Sequence, residues 1–215
     1  MHTRNTKQMV NTLLIATNNP GKVREYRELL ADLPVEITFP SQEGLDLDVE
    51  ETGSTFEENA CLKALAFARA TGLLTLADDS GLEVNALGGA PGVHSARYAG
   101  PGASDVDRYE KLLRALADVP REKRSARFRC VVALARPSGM IDSVDGTCEG
   151  EIGYAPRGEH GFGYDPVFLV EGYGGQTLAE IDPEEKNRIS HRARAVRAAH
   201  PLLVQLLQDA QGPLE

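Results

Sequence analysis

Cysteine and positive charge are both scarce in this chain of 215 residues. Only three cysteines occur, Cys61, Cys130 and Cys148, and they lie far apart. That number and spacing exclude a disulfide framework and a cysteine-based zinc site. Cys61 and Cys130 fall in apolar runs and are expected in the core. Lysine and arginine together number 23 against 32 aspartates and glutamates, a formal net charge of −9. Nucleic-acid binding needs a basic face, so this balance argues against a nucleic-acid partner. A small anionic ligand needs only a local positive pocket, to which a metal ion can contribute. Long apolar runs are missing as well: no stretch approaches the roughly 20 residues that span a bilayer. The N-terminal "MHTRNTKQMVN" is polar and has no apolar signal region. We therefore expect a cytoplasmic protein with no membrane partner. Residues 1–11 are expected as a disordered extension and residues 12–215 as one two-lobed domain.

What the chain does contain is apolar patterning that alternates between strand and helix. "LLIAT" (13–17) reads as a buried strand, and "GKVREYRELLADL" after it as a helix with Val23, Tyr26, Leu29 and Leu30 on one face. "VEITF" (35–39) is a second strand. "STFEENACLKALAFARATG" opens on Ser54 and Glu57 at capping-box spacing and closes on Gly72. "LLTLA" (73–77) is the next strand, ending at two adjacent aspartates and a turn on Ser80-Gly81. A capped helix, "SDVDRYEKLLRALADV", follows a glycine-rich loop. "RFRCVVALARP" and "IDSVDGTCEGEIG" read as a long antiparallel pair, and "PVFLV" (166–170) as a further strand. The C-terminal segment reads as helix, with a break or kink near Pro201. The pattern predicts an α/β fold: an elongated mixed β-sheet with flanking helices, and two lobes around a central cleft.

Four places stand out chemically. "ATNNPGK" (16–22) joins a strand to a helix, where backbone N–H groups bind anions and Lys22 adds a charge. It is not a P-loop, because a leading glycine is missing and Val23 stands where Ser or Thr would hold the metal. It is either a phosphate turn or an ordinary Asn-Pro-Gly breaker. Asp78 and Asp79 stand side by side, although like charges there repel and are costly to desolvate. Oxygen ligands beside phosphate favour Mg²⁺. Successive strand side chains point to opposite faces, so one of the two aspartates should meet the metal. Glu50 and Glu51 precede a helix and are either further ligands or a solvated loop. "GEHGFGYDPVFL" (158–169) presents Phe162 and Tyr164 between glycines, either to stack on a base or to cap the core. In "EEKNRISHRAR" (184–194) a continuous helix puts Lys186, Asn187, Ser190, His191 and Arg194 on one arc, leaving Arg192 off it. That arc faces an anion or solvent.

The order and wording of "TNNPGK", "EETGSTFEENA", "ADDSGLEVNALGGAPGVHSARYAG", "GFGYDPVF" and "EEKNRISHR" resemble the inosine triphosphate pyrophosphatase family. The resemblance runs from about residue 13 to the C-terminal helix. It implies a homodimer that cleaves ITP, dITP and XTP to the monophosphate and pyrophosphate with Mg²⁺. Carried onto matching positions, Thr17, Asn18, Asn19, Pro20, Gly21 and Lys22 would hold the triphosphate. Glu50 and Asp79 would serve the metal, with Asp79 also the general base, and Ser80 would touch the nucleotide. Phe162, Gly163, Tyr164 and Asp165, with Lys186, His191 and Arg192, would form the base and phosphate pocket. Three alternatives stay open. One is a septum-inhibitor-like pyrophosphatase acting on other modified nucleotides. Another is a nucleotide sensor without turnover. The third, a P-loop ATPase, is disfavoured by Val23.

Overall fold

The computed structural model describes residues 12–139 and 141–209. The sequence expectations for residues 1–11 and 210–215 lie outside the described residues. Six strands form one mixed sheet: β1 (Thr12–Ile15), β2 (Glu36–Thr38), β3 (Leu74–Val84), β4 (Ser125–Ala135), β5 (Ile141–Ile152) and β6 (Phe168–Val170). Their spatial order is β2-β1-β3-β4-β5-β6. β1 runs parallel to β2 and β3, and the neighbours from β3 to β6 are antiparallel.

Helices α1 (Pro20–Leu29) and α5 (His191–Asp209) cover one face of the sheet. There Leu13, Ile15 and Leu76 pack with Tyr26, Leu30, Val196 and Leu203. Helix α2 (Phe56–Thr71) covers the other face, where Leu14, Ala77, Val131 and Ala133 meet Phe56, Ala60, Ala64 and Phe67. The far halves of β3, β4 and β5 carry a second core with Leu112 and Leu116, from and just after α3 (Asp105–Ala115), and with Phe168, Val170 and Leu178. Three long strands therefore run through both cores, and the mixed sheet with flanking helices agrees with the sequence pattern. Cys130 is buried and Cys61 half-buried, both as free thiols.

Several local expectations are corrected. The capping box of α2 is Thr55 with Glu58, one residue beyond the pair expected from spacing. Ser54 still donates to Glu58 through both its backbone N–H and its hydroxyl. The strand expected to end at Ala77 continues through both aspartates to Val84, with no turn at Ser80-Gly81. Its antiparallel partner β4 supplies the missing reason: Asp78 pairs with Val132 and Asp79 with Val131 in the ladder. Finally, the C-terminal helix does not break at Pro201, which lies inside α5. It breaks at Ser190, between α4 (Pro183–Ile189) and α5. Ser190 is extended and closes both ends: its N–H donates to Lys186 O, and its hydroxyl accepts the Ala193 N–H at 3.2 Å.

Candidate active site

Strand alternation sends Asp78 and Asp79 to opposite faces, as expected. Asp78 points toward α1 and α5. It lies 2.8 Å from Lys22 Nζ and 3.3 Å from Arg192 Nη2, and it also accepts from Ser80 Oγ at 3.3 Å. Burial opposes its ionisation, but Lys22, Arg192 and Lys63 overcome that and hold its carboxyl well below the usual carboxylate range.

The pairing continues as a chain of alternating charges. Arg192 Nη1 bonds Glu25 at 2.5 Å, Lys186 Nζ lies 2.8 Å from Glu25, and the same ammonium lies 2.6 Å from Asp165. The row Lys22, Asp78, Arg192, Glu25, Lys186, Asp165 thus satisfies each charge with its neighbours, which buried charges require. Burial works against the Glu25 charge, yet Arg192 and Lys186 hold its pKa down at about 2. The break at Ser190 makes this possible. It restarts the helical phase, so Arg192 enters the site although a continuous helix excluded it. Gly146 of β5 lets α5 come this close: a Cβ there would stand 2.4 Å from Ala195 N and 2.5 Å from His191 O.

Asp79 points toward α2. Its Oδ2 accepts from Asn59 Nδ2 at 3.0 Å and its Oδ1 from the Ser80 N–H at 2.8 Å. Burial and then the Glu51 charge push its pKa up, with Asn59 and Lys63 pulling less strongly the other way. Lys63 forms an ion pair with Glu51 and donates to the Asp78 carbonyl at 3.0 Å. Burial disfavours its charge, but Asp78 and Glu51 outweigh burial and raise its pKa.

An inner cavity of about 160 Å³ is lined by Lys22, Asp79, Ser80, Phe162, Lys186, His191 and Arg192 among others. An outer cavity of about 670 Å³ is lined by Thr17, Asn18, Glu50 and Lys63 among others. Glu51 lines both, so the two meet beside Asp79. Among the described residues no group of three or more His, Cys, Asp or Glu side chains is arranged to hold a metal. Asp79 and Glu51 nevertheless offer hard oxygen donors whose mutual repulsion a cation would relieve. Mg²⁺ typically takes one or two carboxylates plus phosphate and water, so this sparse donor set fits it.

The sequence-derived residues fall into place unevenly. In the 16–22 turn, Asn19 caps α1 by accepting the Lys22 N–H at 3.1 Å, and Asn18 Oδ1 accepts from Ser41 N. Their oxygens are structural, which leaves the Nδ2 ends as the donors. Thr17 Oγ1 accepts from Asn19 N, and Pro20 occupies the first turn of α1. Gly21 meets the ring of Phe162, since a Cβ there would lie 2.5 Å from it. Glu50 is exposed, and its neighbour Glu51 is the carboxylate that acts on Asp79. The two aromatics divide: Phe162 lines the cavity, 4.9 Å from Lys186 Nζ to its ring centre, while Tyr164 is buried and donates its hydroxyl to Ser95 O. Gly163 N donates to Asp105, and Phe162 N to Asp165. His191 stacks on Phe128 with ring centres 4.7 Å apart, and burial, then Arg192, keeps it neutral. Asn187 and Arg194 leave the arc assigned to them: Asn187 bonds Glu28, and Arg194 bonds Thr147 O.

Sequence reasoning missed Asn59, Lys63, Glu25 and Phe128. Asn59 and Lys63 had a legible signal, because they interrupt the apolar stripe Phe56, Ala60, Ala64, Phe67 of α2 at i, i+4 spacing. Among the described residues, Tyr26 Oη, His191 Nδ1 and Arg192 Nε are buried here without a hydrogen-bond partner. Such orphan groups are costly, and their gathering at one place marks a site kept for more than stability.

Comparison with known proteins gives a consistent match. The model of the Ham1 family matches residues 13–202. A dITP/XTP pyrophosphatase of Desulforamulus reducens is 52% identical, over 90% of this chain and 96% of that one. The Bacillus subtilis dITP/XTP pyrophosphatase is 47% identical, over 88% and 96%. Among solved structures, a HAM1 protein from Coxiella burnetii aligns with a TM-score of 0.83 at 45% identity, covering 91% of this chain and all of that one.

Proposed function

The chain belongs to the Ham1 family, and from that premise we propose that it is a nucleoside triphosphate pyrophosphatase. It hydrolyses non-standard purine nucleoside triphosphates (ITP, dITP and XTP) to the monophosphate and pyrophosphate. The observation that carries the reading is Asp79, a buried carboxylate with a raised pKa, set where the two cavities meet.

The purine occupies the inner cavity against Phe162, with Ser80, Lys186, His191 and Arg192 around it and Gly163 to Asp165 as its wall. The triphosphate runs outward over the 17–22 turn, where the start of α1 and Lys22 attract it. Asp79 takes a proton from the water that attacks the α-phosphorus. Burial and the Glu51 charge raise its pKa, which makes it a stronger base than an ordinary aspartate. Asp79 and Glu51 would hold Mg²⁺, with Glu50 beside them on the wall of the outer cavity. When bound, that ion supplies Lewis-acid neutralisation of the phosphate charge. Lys63 and Lys22 hold Glu51 and Asp78 in place and add positive charge beside the reacting phosphate.

Selectivity against ATP follows from donor chemistry. Hypoxanthine and xanthine carry a 6-oxo acceptor, and adenine a 6-amino donor. Arg192 offers only donors, and its buried Nε–H has no partner among the described residues, so adenine would leave that donor unpaired. A cytoplasmic homodimer belongs to the same reading, and light scattering after size exclusion tests the assembly. Among the described residues no helix is long and apolar enough to cross a membrane.

Product analysis with ITP, dITP, XTP, GTP and ATP tests the function. Pyrophosphate and monophosphate should form from the first three and far more slowly from ATP. Orthophosphate as the product, or equal rates with ATP, would refute it.

A further inference from the structure

The outer cavity contains a cation to which the mechanism above gives no part. Asp48, Glu50 and Glu51 line it, and the cationic side chains among its lining residues are Lys63 and Arg97. Lys63 is engaged by Glu51 and by the Asp78 carbonyl. Arg97 has no carboxylate partner among the described residues, in a chain with 32 aspartates and glutamates. Its Nε instead donates to His94 Nδ1 at 3.3 Å, with Nη2 3.2 Å from the same atom. A ring nitrogen, unlike a carboxylate, holds the guanidinium without cancelling its charge.

The position of Arg97 is fixed from behind. It ends a 3₁₀ segment, Gly92–Arg97. Ser95 pins that segment: its hydroxyl donates to Gly92 O at 2.7 Å and accepts the Leu82 N–H at 2.9 Å, and its carbonyl accepts from Tyr164 at 2.9 Å. Ala96 lines the inner cavity and Arg97 the outer one. One anchored segment is thus a wall of both cavities.

We propose that Arg97 docks the terminal phosphates of the substrate, and hence the pyrophosphate leaving group, by transferring its guanidinium from His94 to phosphate oxygens. The proposal rests on the pyrophosphatase reading. A phosphate chain that leaves the inner cavity past Asp79 enters the outer one, where Arg97 is the cation that no carboxylate holds. A guanidinium fork matches phosphate oxygens two at a time, with donors already in a plane. In the reaction, water oxygen bonds to the α-phosphorus and its proton passes to Asp79. The bond from the α-phosphorus to the bridging oxygen breaks, and its electron pair departs with pyrophosphate. Arg97 receives that added charge. His94 is a parking acceptor, able to accept only while its Nδ1 carries no proton.

Calorimetric binding of inorganic pyrophosphate and of IMP, each with Mg²⁺, to wild type, Arg97→Ala and Arg97→Lys tests this without turnover. Arg97 is exposed, so equal melting temperatures should accompany the comparison. Pyrophosphate affinity should fall about tenfold or more in Arg97→Ala, as loss of a charged hydrogen-bond partner implies. Arg97→Lys should be intermediate, and IMP binding should be unchanged in both. Unchanged pyrophosphate affinity, or equal weakening of pyrophosphate and IMP, would overturn the assignment, as would no pyrophosphate binding by wild type. Failure of wild type to release pyrophosphate from ITP would instead sink the functional reading, so the two failures are distinct.

Discussion

The side-chain amide of Asn59 donates to Asp79 Oδ2 across 3.0 Å, while its carbonyl oxygen accepts the Gly53 N–H at 2.7 Å. One fully buried amide therefore ties the aspartate of β3 to the loop that carries Glu50 and Glu51. Turning the amide breaks both bonds, so its orientation is fixed by the two partners together.

Asn59→Ala should lower kcat for ITP roughly tenfold to a hundredfold, the scale of a misplaced catalytic group, with KM little changed. Asn59→Asp keeps the acceptor for Gly53 and loses the donor to Asp79. It also sets a second buried carboxylate against Asp79, so it should lose kcat and melt at least as low as Asn59→Ala. A raised KM with normal kcat in either variant would place the amide in binding instead.

Arg192 is a fold residue as well as the proposed base reader. Its truncation leaves Glu25 and Asp78 buried beside too few cations. Arg192→Ala should cost about 3–5 kcal/mol of stability, as broken buried pairs do, besides reducing kcat/KM for ITP. Arg192→Lys keeps the charge but not the fork, so it separates the two effects. Its kcat/KM for ITP should fall strongly while that for ATP hardly moves. An unchanged ITP-to-ATP ratio in a folded Lys variant would move base reading to Phe162–Asp165.

Glu25 gives a pH test of the ion chain. Its carboxyl is held from 4.5 down to about 2 in the folded protein. A depressed pKa contributes stability that is fully present above the unfolded value. It fades as pH falls through 4.5 and is gone below about 2. The contribution is on the order of 3 kcal/mol at neutral pH. Glu25→Gln should be less stable than wild type at pH 7, and the gap should close between pH 4.5 and 2. A gap that stays constant in denaturant titrations across that window would show that the pairing is not electrostatic.

Much of this was legible in the sequence. Alternation and helical spacing located the strands and helices, and the wording of five motifs pointed to the site. What stayed hidden depends on long-range pairing. Only the β4 partner shows why β3 runs on through Asp78 and Asp79. Only the break at Ser190 shows why Arg192, off the expected arc, meets Asp78 and Glu25. Capping chemistry slipped by one residue at Thr55 because Ser54 and Thr55 both satisfy the same short-range rule. Glu25 was hidden for another reason: a glutamate beside a buried tyrosine in α1 looks like surface until Lys186 and Arg192 arrive from residues far along the chain.

Asp78 and Asp79 also illustrate how partner sets divide roles. Asp78 is neutralised by Lys22 and Arg192, so Asp78→Asn removes the carboxylate that pairs Lys22 and leaves Arg192 with Glu25 alone. Asp79 has no cation of its own among the described residues and faces Glu51, and it is the proposed base. The decisive measurement is therefore steady-state hydrolysis of ITP by Asp79→Asn, paired with equilibrium binding of the same nucleotide. The account predicts a loss in kcat of about 10²–10⁴-fold, the usual contribution of a general base, with ITP binding still measurable. Wild-type kcat in that variant would contradict it.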